Sequence, residues 1–346
     1  MFGPDLARGI ALLGMFAAHV VWDPDENVYD GRSSILFATI AGVSLGLLTG
    51  GSQPATGGRR TALRGGVAIR GLVLIVLGVV LTEFVRPPLA VILEYYGLAF
   101  VLLTPLLFAS IRVLTIAAGA VVIVMPGLVA WLRDRTDPTL IPDPVLPFAE
   151  WLVYGTYPMA IWVAFPLAGL ICARAGLESR RTQALMIAGG AAAAIVGYGA
   201  AAVLPGVSAE AHSGTVAEVV GSGGLAIAII GLCTLGGGLA GPAGRGIRVV
   251  LFPVAAAGSM ALTLYTVHAV ALAIVREAVS GGPEDWSYPE PTLAVLVATA
   301  LVVATAWRLL LGAGPLERGM RLLTRLPEPR RARGLPEQGR SSRPTV

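Results

Sequence analysis

The 346-residue sequence contains no lysine; all 25 basic residues are arginine. We read that absence as the codon bias of a GC-rich genome rather than as chemistry. Charge of either sign is scarce. Only 13% of residues are charged, against about 25% in soluble domains, which excludes an ordinary soluble enzyme. Cysteine is limited to Cys172 and Cys233, both inside apolar runs. They read as small core residues, so neither a disulfide framework nor a metal site is expected. There is no Walker-type glycine loop and no cluster with metal-ligand spacing, so ATP hydrolysis and metal catalysis are not expected. The first apolar run starts near Leu6 and lacks a cleavage site, so no cleavable signal peptide is expected. The chain also shows no internal repeat.

What is present is apolar length. The composition is 55% hydrophobic with a mean hydropathy of +0.76, which predicts an integral membrane protein. The expected fold is all-α, a polytopic transmembrane helix bundle of about ten spans. They lie near 6–22, 33–50, 66–84, 89–109, 113–131, 157–174, 183–204, 219–239, 249–275 and 292–311. Residues 1–325 read as one transmembrane domain and 326–346 as a disordered cytoplasmic tail. The ninth run is long and holds Pro253, Gly258 and Ser259, which predicts a break or kink. Residues 132–156 read as an amphipathic segment on the outer face, and 205–218 as a polar outer loop or re-entrant turn. The 44 glycines suit close helix packing.

Arginine placement gives orientation. Arg59, Arg60 and Arg64, then Arg112, then Arg174, Arg180 and Arg181, then Arg245 and Arg248 fall in alternate loops. Acids dominate the other loops. The positive-inside rule then puts both termini in the cytoplasm. The +4 net charge and pI of 9.4 therefore reflect topology and do not point to nucleic acid.

Chemistry concentrates in the first run, where Asp5, Arg8 and His19 interrupt apolar sequence. Ionisable groups in such a run are costly and mark a pathway or a reaction site. Arg8 and His19 are eleven residues apart, about three helical turns or roughly 16 Å along one face. His19 can serve as a general base or a transient acyl carrier near neutral pH; the bland alternative is a packed histidine. Arg8, oriented by Asp5, can meet a phosphate, or the two can form a structural ion pair. Arg70 lies deeper in an apolar run than the other inner-loop arginines. Tyr265 and His268 are helix neighbours that can line an acceptor cavity or orient His19. His212 stands in a polar outer segment with Ser213, Thr215 and Glu218. Trp162 is a candidate pocket wall, and Glu94 beside Tyr95 and Tyr96 reads as an interfacial acid.

These residues carry a resemblance. The opening Asp5-Leu-Ala-Arg8-Gly-Ile-Ala-Leu-Leu-Gly-Met, with Arg8 and His19 flanking ten residues, resembles the start of membrane acyltransferases that modify extracytoplasmic glycans. Leu36-Phe-Ala-Thr-Ile-Ala-Gly42, Tyr157-Pro158…Trp162, Gly258-Ser259…Tyr265…His268 and Gly314-Pro315-Leu-Glu317…Arg321 extend it to residue 321. The closer similarity is to bacterial relatives of heparan-α-glucosaminide N-acetyltransferase and to YeiB-like membrane proteins. The resemblance implies an acetyl-CoA-dependent acyltransferase in the bacterial cytoplasmic membrane, delivering an acetyl group to an extracytoplasmic sugar amine or hydroxyl. His19 and His268 would be catalytic, Asp5, Arg8 and Arg70 would hold the cofactor, and Tyr265, Trp162 and His212 the acceptor. Lipid, acetyl-CoA and a glycan are the implied partners; a homodimer is allowed but not required. A transporter of a small or lipid-linked substrate stays open, because it shares many spans, buried Arg and His, and a broken helix.

Overall fold

A computed structural model describes residues 1–21, 26–279 and 287–324. The expected tail, 326–346, lies outside the described residues. Within them the chain is all-helical, as its composition demands. Six helices are long and apolar enough to cross a membrane: α3 (Gly58–Val80, continued by a π turn over Leu81–Val85), α5 (Ile111–Arg135), α9 (Arg180–Val203), α10 (Val216–Gly237), α13 (Ala261–Val279) and α14 (Thr292–Leu310). A seventh crossing is bent by 49°. It runs through α6 (Leu146–Ala149) and a π turn over Glu150–Tyr154 into α7 (Met159–Trp162) and α8 (Ala164–Ala175). The expected count of ten is therefore not reached. The shortfall is α1 (Phe2–Val20), which carries Asp5 and Arg8, and the short α2 (Arg32–Leu48) and α4 (Leu93–Leu103).

The ninth run is broken as Pro253 and Gly258-Ser259 suggest. It forms α11 (Gly241–Val250), α12 (Phe252–Ser259) and α13, with Met260 out of helical register between the last two. A short α15 (Pro315–Leu323) follows Gly312, whose φ of 85° favours glycine.

Burial separates an inner from an outer ring. In α10, 61% of the membrane-length window is buried; in α14 it is 11% and in α5 and α9 17%. The outer helices show Ile116, Ile123, Ile195, Val295 and Val302 on their free faces, as lipid contact requires. The centre is α1, whose Leu6, Ala7, Ala11, Leu12, Met15 and Phe16 form an apolar stripe at helical spacing. Missing side chains let the helices touch. A Cβ on Gly9 or Gly258 would strike the backbone of α12 or α1, and one on Gly42 or Gly169 the backbone of α8 or α2. Small-residue seams of this kind drive helix association where lipid removes the hydrophobic incentive.

The arginine loops share one end of the bundle. Arg180 donates to the carbonyls of Leu235 and Gly238, and Arg248 to those of Gly237 and Leu239. Gly3 packs against Thr234, so α1 begins at that same end. At the opposite end, Arg32 joins Glu26, Tyr198 and the carbonyl of Ala209, tying the loop before α2 to the loop before α10.

Candidate functional site

Where α1 begins, residues of eight helices line a cavity of about 600 Å³. Its apolar wall includes Phe37, Leu74, Leu93, Phe100 and Leu262. Its polar lining holds four guanidinium groups, on Arg8, Arg70, Arg308 and Arg321, with the carboxylates of Asp5 and Glu317. The carboxylates are already engaged. Asp5 accepts from Arg8 at 3.1 Å and faces the N-terminal ammonium at 3.5 Å. Glu317 accepts from the backbone N–H of Thr263 at 3.1 Å and from its hydroxyl at 2.6 Å.

Arg8 is engaged as well. Besides Asp5, it donates to the carbonyl of Gly258 at 3.1 Å and to Ser44 Oγ at 2.7 Å. These bonds tie α1 to α12 and α2. Arg70 differs. Its Nε is buried with no hydrogen-bond partner, and Arg8 and Arg321 are the charges that bear on it. No ion pair holds Arg70, Arg308 or Arg321 among the described residues. Clustered, uncompensated guanidinium groups beside apolar walls favour a ligand with several negative oxygens and an apolar part.

Further along α1 a second constellation forms. His19 Nδ1 lies 3.0 Å from His268 Nε2. The rings are parallel to within 2° with centroids 5.3 Å apart. That separation equals the N···N gap plus the two ring radii, so the imidazoles lie end to end in one plane rather than stacked. His268 is buried between Phe16, at 4.6 Å, and Tyr265, at 5.0 Å edge-on. His19 is only half-buried. Neither histidine lines the arginine cavity. Tyr265 does, so this one residue, fixed by the Ile92 N–H donating to its hydroxyl at 3.2 Å, separates cavity from histidine pair.

The third histidine caps the outer end. Thr215 is the N-cap of α10 and accepts from the N–H of Glu218 at 3.0 Å. Glu218 reaches back to the N–H groups of His212, at 2.7 Å, and Gly214, at 2.6 Å. This is a capping box, Thr-x-x-Glu, extended over the preceding loop. It holds His212 at φ 62°, a left-handed conformation unusual for a side-chain-bearing residue. The His212 ring stacks on Trp162 at 5.8 Å and meets Tyr157 edge-on at 5.1 Å. Burial holds its pKa below the ordinary imidazole range; Arg32 adds to that, while Asp30 and the Thr156 carbonyl oppose it. Trp162 is 2% exposed, so it is packed beneath His212 and presents no open face.

The structure thus groups the expected residues differently from the sequence. Asp5, Arg8 and Arg70 do share one cavity, and His19 and His268 are directly bonded. The acceptor trio divides: His212 and Trp162 stack together, while Tyr265 belongs to the cavity wall. Glu94 faces protein rather than an open surface. It is buried and accepts from Thr82 at 2.5 Å and Trp151 at 2.7 Å, each from one of the two π turns. Arg308, Arg321 and Glu317 as cavity groups escaped the sequence reading. Their signal was weak: Arg321 and Glu317 lie in the Gly314-Pro315-Leu-Glu317…Arg321 segment, and Arg308 reads as an ordinary helix-end arginine.

A family model described as a protein of unknown function, DUF418, matches residues 171–327, a little under half of the chain. The matched stretch runs from α8 to α15 and includes His212, Tyr265, His268, Arg308, Glu317 and Arg321. It agrees with the YeiB-like side of the resemblance and names no acyltransferase. No curated protein matches the chain.

Proposed function

We propose that this multi-pass membrane protein is an acyltransferase. It takes acetyl-CoA from the cytoplasm into the arginine cavity and passes the acetyl group to an extracytoplasmic sugar amine or hydroxyl. The observation that carries the reading is Arg70: a partly buried arginine whose buried Nε has no partner, in a cavity whose wall, Tyr265, also packs on the histidine pair. The donor set fits coenzyme A. Arg70, Arg308 and Arg321 would hold its phosphates, and the apolar wall its pantetheine arm. The thioester supplies an activated acyl group.

The chain's own residues then have separable tasks. Arg8 fixes the cavity rim by joining α1, α2 and α12. His19 takes the proton of the acceptor's N–H or O–H as the acceptor heteroatom bonds the acyl carbon. The C–S bond breaks, and the proton returns from His19 to the departing thiolate, so that acetyl thioester plus acceptor gives acetylated acceptor plus thiol. Removing a general base of this kind lowers rate by about 10²–10⁴-fold.

One observation favours a transporter instead. The cavity ends at Tyr96 and Tyr265 before it reaches the outer loops, as a one-side-open carrier would.

Equilibrium binding of radiolabelled acetyl-CoA to purified protein in nanodiscs tests the proposal. Acetyl-CoA should bind more tightly than acetyl-pantetheine, which has no phosphates. Arg70→Ala should weaken it by about ten- to 150-fold, the value of a charge-assisted contact worth about 1.5–3 kcal/mol. A screen of sugar amines for acetyl incorporation follows. Equal affinity for the two thioesters would end the cofactor assignment. Tight binding with the label appearing unchanged across a sealed membrane would favour transport.

A further inference from the structure

The in-plane contact between His19 and His268 leaves two ways to share one proton. In the first, His19 Nδ1–H donates to His268 Nε2; in the second, His268 Nε2–H donates to His19 Nδ1. In neutral imidazole one nitrogen is a donor and the other an acceptor, so each choice dictates the outer nitrogens. The first puts a proton on His268 Nδ1 and leaves His19 Nε2 with a free lone pair. The second strips His268 Nδ1 and protonates His19 Nε2.

The surroundings of His268 Nδ1 decide between them. That nitrogen is buried and makes no regular hydrogen bond. The ring lies against the backbone of Leu264 and Tyr265, the preceding turn of its own helix, and because Nε2 is turned to His19, Nδ1 is the nitrogen left to meet those carbonyls. A bare nitrogen lone pair there would confront carbonyl oxygens with no donor between them. An N–H there gains a weak, bent contact to the same oxygens. Leaving a buried polar atom without any compensation is costly.

We infer that His268 is a positioning residue that holds His19 in its Nδ1–H tautomer and so makes His19 Nε2 the reactive nitrogen. This deepens the acyl-transfer reading, and its catalytic consequence rests on that reading; the tautomer itself does not. The arrangement explains why one histidine is buried and the other half-buried. His268 is inaccessible and serves as the acceptor that fixes ring orientation. His19 is the more accessible of the pair, and its second nitrogen has no hydrogen bond among the described residues. A lone pair on Nε2 is needed whether His19 takes a proton from the acceptor or itself bonds the acyl carbon, so the inference serves both routes. Because tautomer choice in a partnered histidine is set by what its other nitrogen meets, the effect should vanish when the partner does.

The chain has only three histidines, so ¹⁵N-imidazole spectra of the full protein in nanodiscs can be assigned with His212→Gln and the two His268 variants. Neutral His19 is expected to show a protonated Nδ1 and a bare Nε2. In His268→Phe it should revert to the Nε2–H form that unpartnered imidazole prefers. In His268→Gln, whose side-chain carbonyl can accept the same proton, the Nδ1–H form should persist; this variant also guards against a phenylalanine that misfolds. An Nε2–H signal for His19 in the wild type, or an Nδ1–H signal that survives in His268→Phe, overturns the inference. Where acetyl transfer is measurable, His268→Phe should lower kcat by at least tenfold with little change in KM, and His268→Gln should restore part of it. The expected tautomers in a protein that binds no acetyl-CoA would sink the acyltransferase reading and leave the dyad standing.

Discussion

Arg174 shows how a residue that reads as a topology marker becomes structural. Its side chain is buried and donates to the carbonyls of Gly46, at 3.0 Å, Gly51, at 2.6 Å, and Leu107, and to Thr49 Oγ1 at 2.7 Å. Gly46, Thr49 and Gly51 lie at the C-terminal end of α2, where backbone carbonyls carry partial negative charge, and Leu107 lies in the turn after α4. The guanidinium fork answers several at once. Arg174→Ala should lower the stability of the purified protein by about 1–3 kcal/mol for each carbonyl left dry, read as a drop in thermal midpoint. Arg174→Lys should recover less than half of it, because a point charge cannot span the same oxygens. Arg8 and Arg70 form a matched contrast. Arg8→Ala breaks bonds to Asp5, Ser44 and Gly258 and should mainly lower the thermal midpoint. Arg70→Ala frees no partner and should mainly lower acetyl-CoA affinity. Measuring midpoint and affinity on both proteins checks the division; an Arg8 variant of normal stability and weakened binding would reverse it.

Helices meet in this protein where glycine removes the obstacle, and the α1–α12 seam is the clearest case. Gly258 packs so closely on the backbone of Asp5 and Gly9 that a methyl group has no room. Gly258→Ala should push α12 off α1, stretch the Arg8 bond to the Gly258 carbonyl, and cost about 1–3 kcal/mol or more. Thermal unfolding reads this, and a variant as stable as wild type would show that the seam is slack. The loop before α10 gives a pH-dependent element. His212 has a folded pKa below its unfolded value of about 6.5. The unfolded loop therefore binds protons first, and the loop's stability, intact above about pH 6.5, falls as pH drops below it. Hydrogen-exchange protection over 204–215, taken relative to each amide's intrinsic rate, should fall between pH 7.5 and 5.5 (a test range bracketing about 6.5), and His212→Gln should flatten the trend. At this scale much was legible. The apolar runs fall on helices, and Pro253 with Gly258-Ser259 marks the break in the ninth. The bent crossing over 146–175 and the burial of Glu94 were not legible, because Thr82 and Trp151 approach Glu94 from 12 and 57 residues away. Likewise the spacing of Arg8 and His19 announced one helix face, whereas their partners Gly258 and His268 lie about 250 residues on.

The two ends of the molecule differ in charge, and that layout constrains how it sits in a bilayer. Arg180 and Arg248 bind carbonyls at the end of α10, Arg64 reaches the carbonyl of Pro105, and Arg174 clasps the loop after α2. The loops bearing Arg59–Arg64, Arg180–Arg181 and Arg245–Arg248 therefore lie at one end with the cavity mouth. Glu26, Asp30 and Glu210 lie at the other, the end at which α1 finishes just after His19. The positive-inside rule then assigns the arginine end to the cytoplasm, the compartment in which a phosphate-bearing donor would have to meet Arg70. Single cysteines placed at residues 59, 180 and 245, in a Cys172→Ala/Cys233→Ala background, should resist an impermeant thiol reagent added to intact cells. A cysteine at residue 210 should react. Both native thiols are buried, so their removal should leave the fold intact. The test does more than fix orientation. If residue 59 labels from outside while 210 does not, the protein is inverted, the cavity opens away from coenzyme A, and the guanidinium cluster must serve an extracytoplasmic anion instead. If both label, the two loops cannot occupy opposite ends, and the placement of the α2–α3 loop at the cavity end would itself be in error. Only protection at 59, 180 and 245 with labelling at 210 leaves the arginine cavity facing the donor and His19 facing the acceptor.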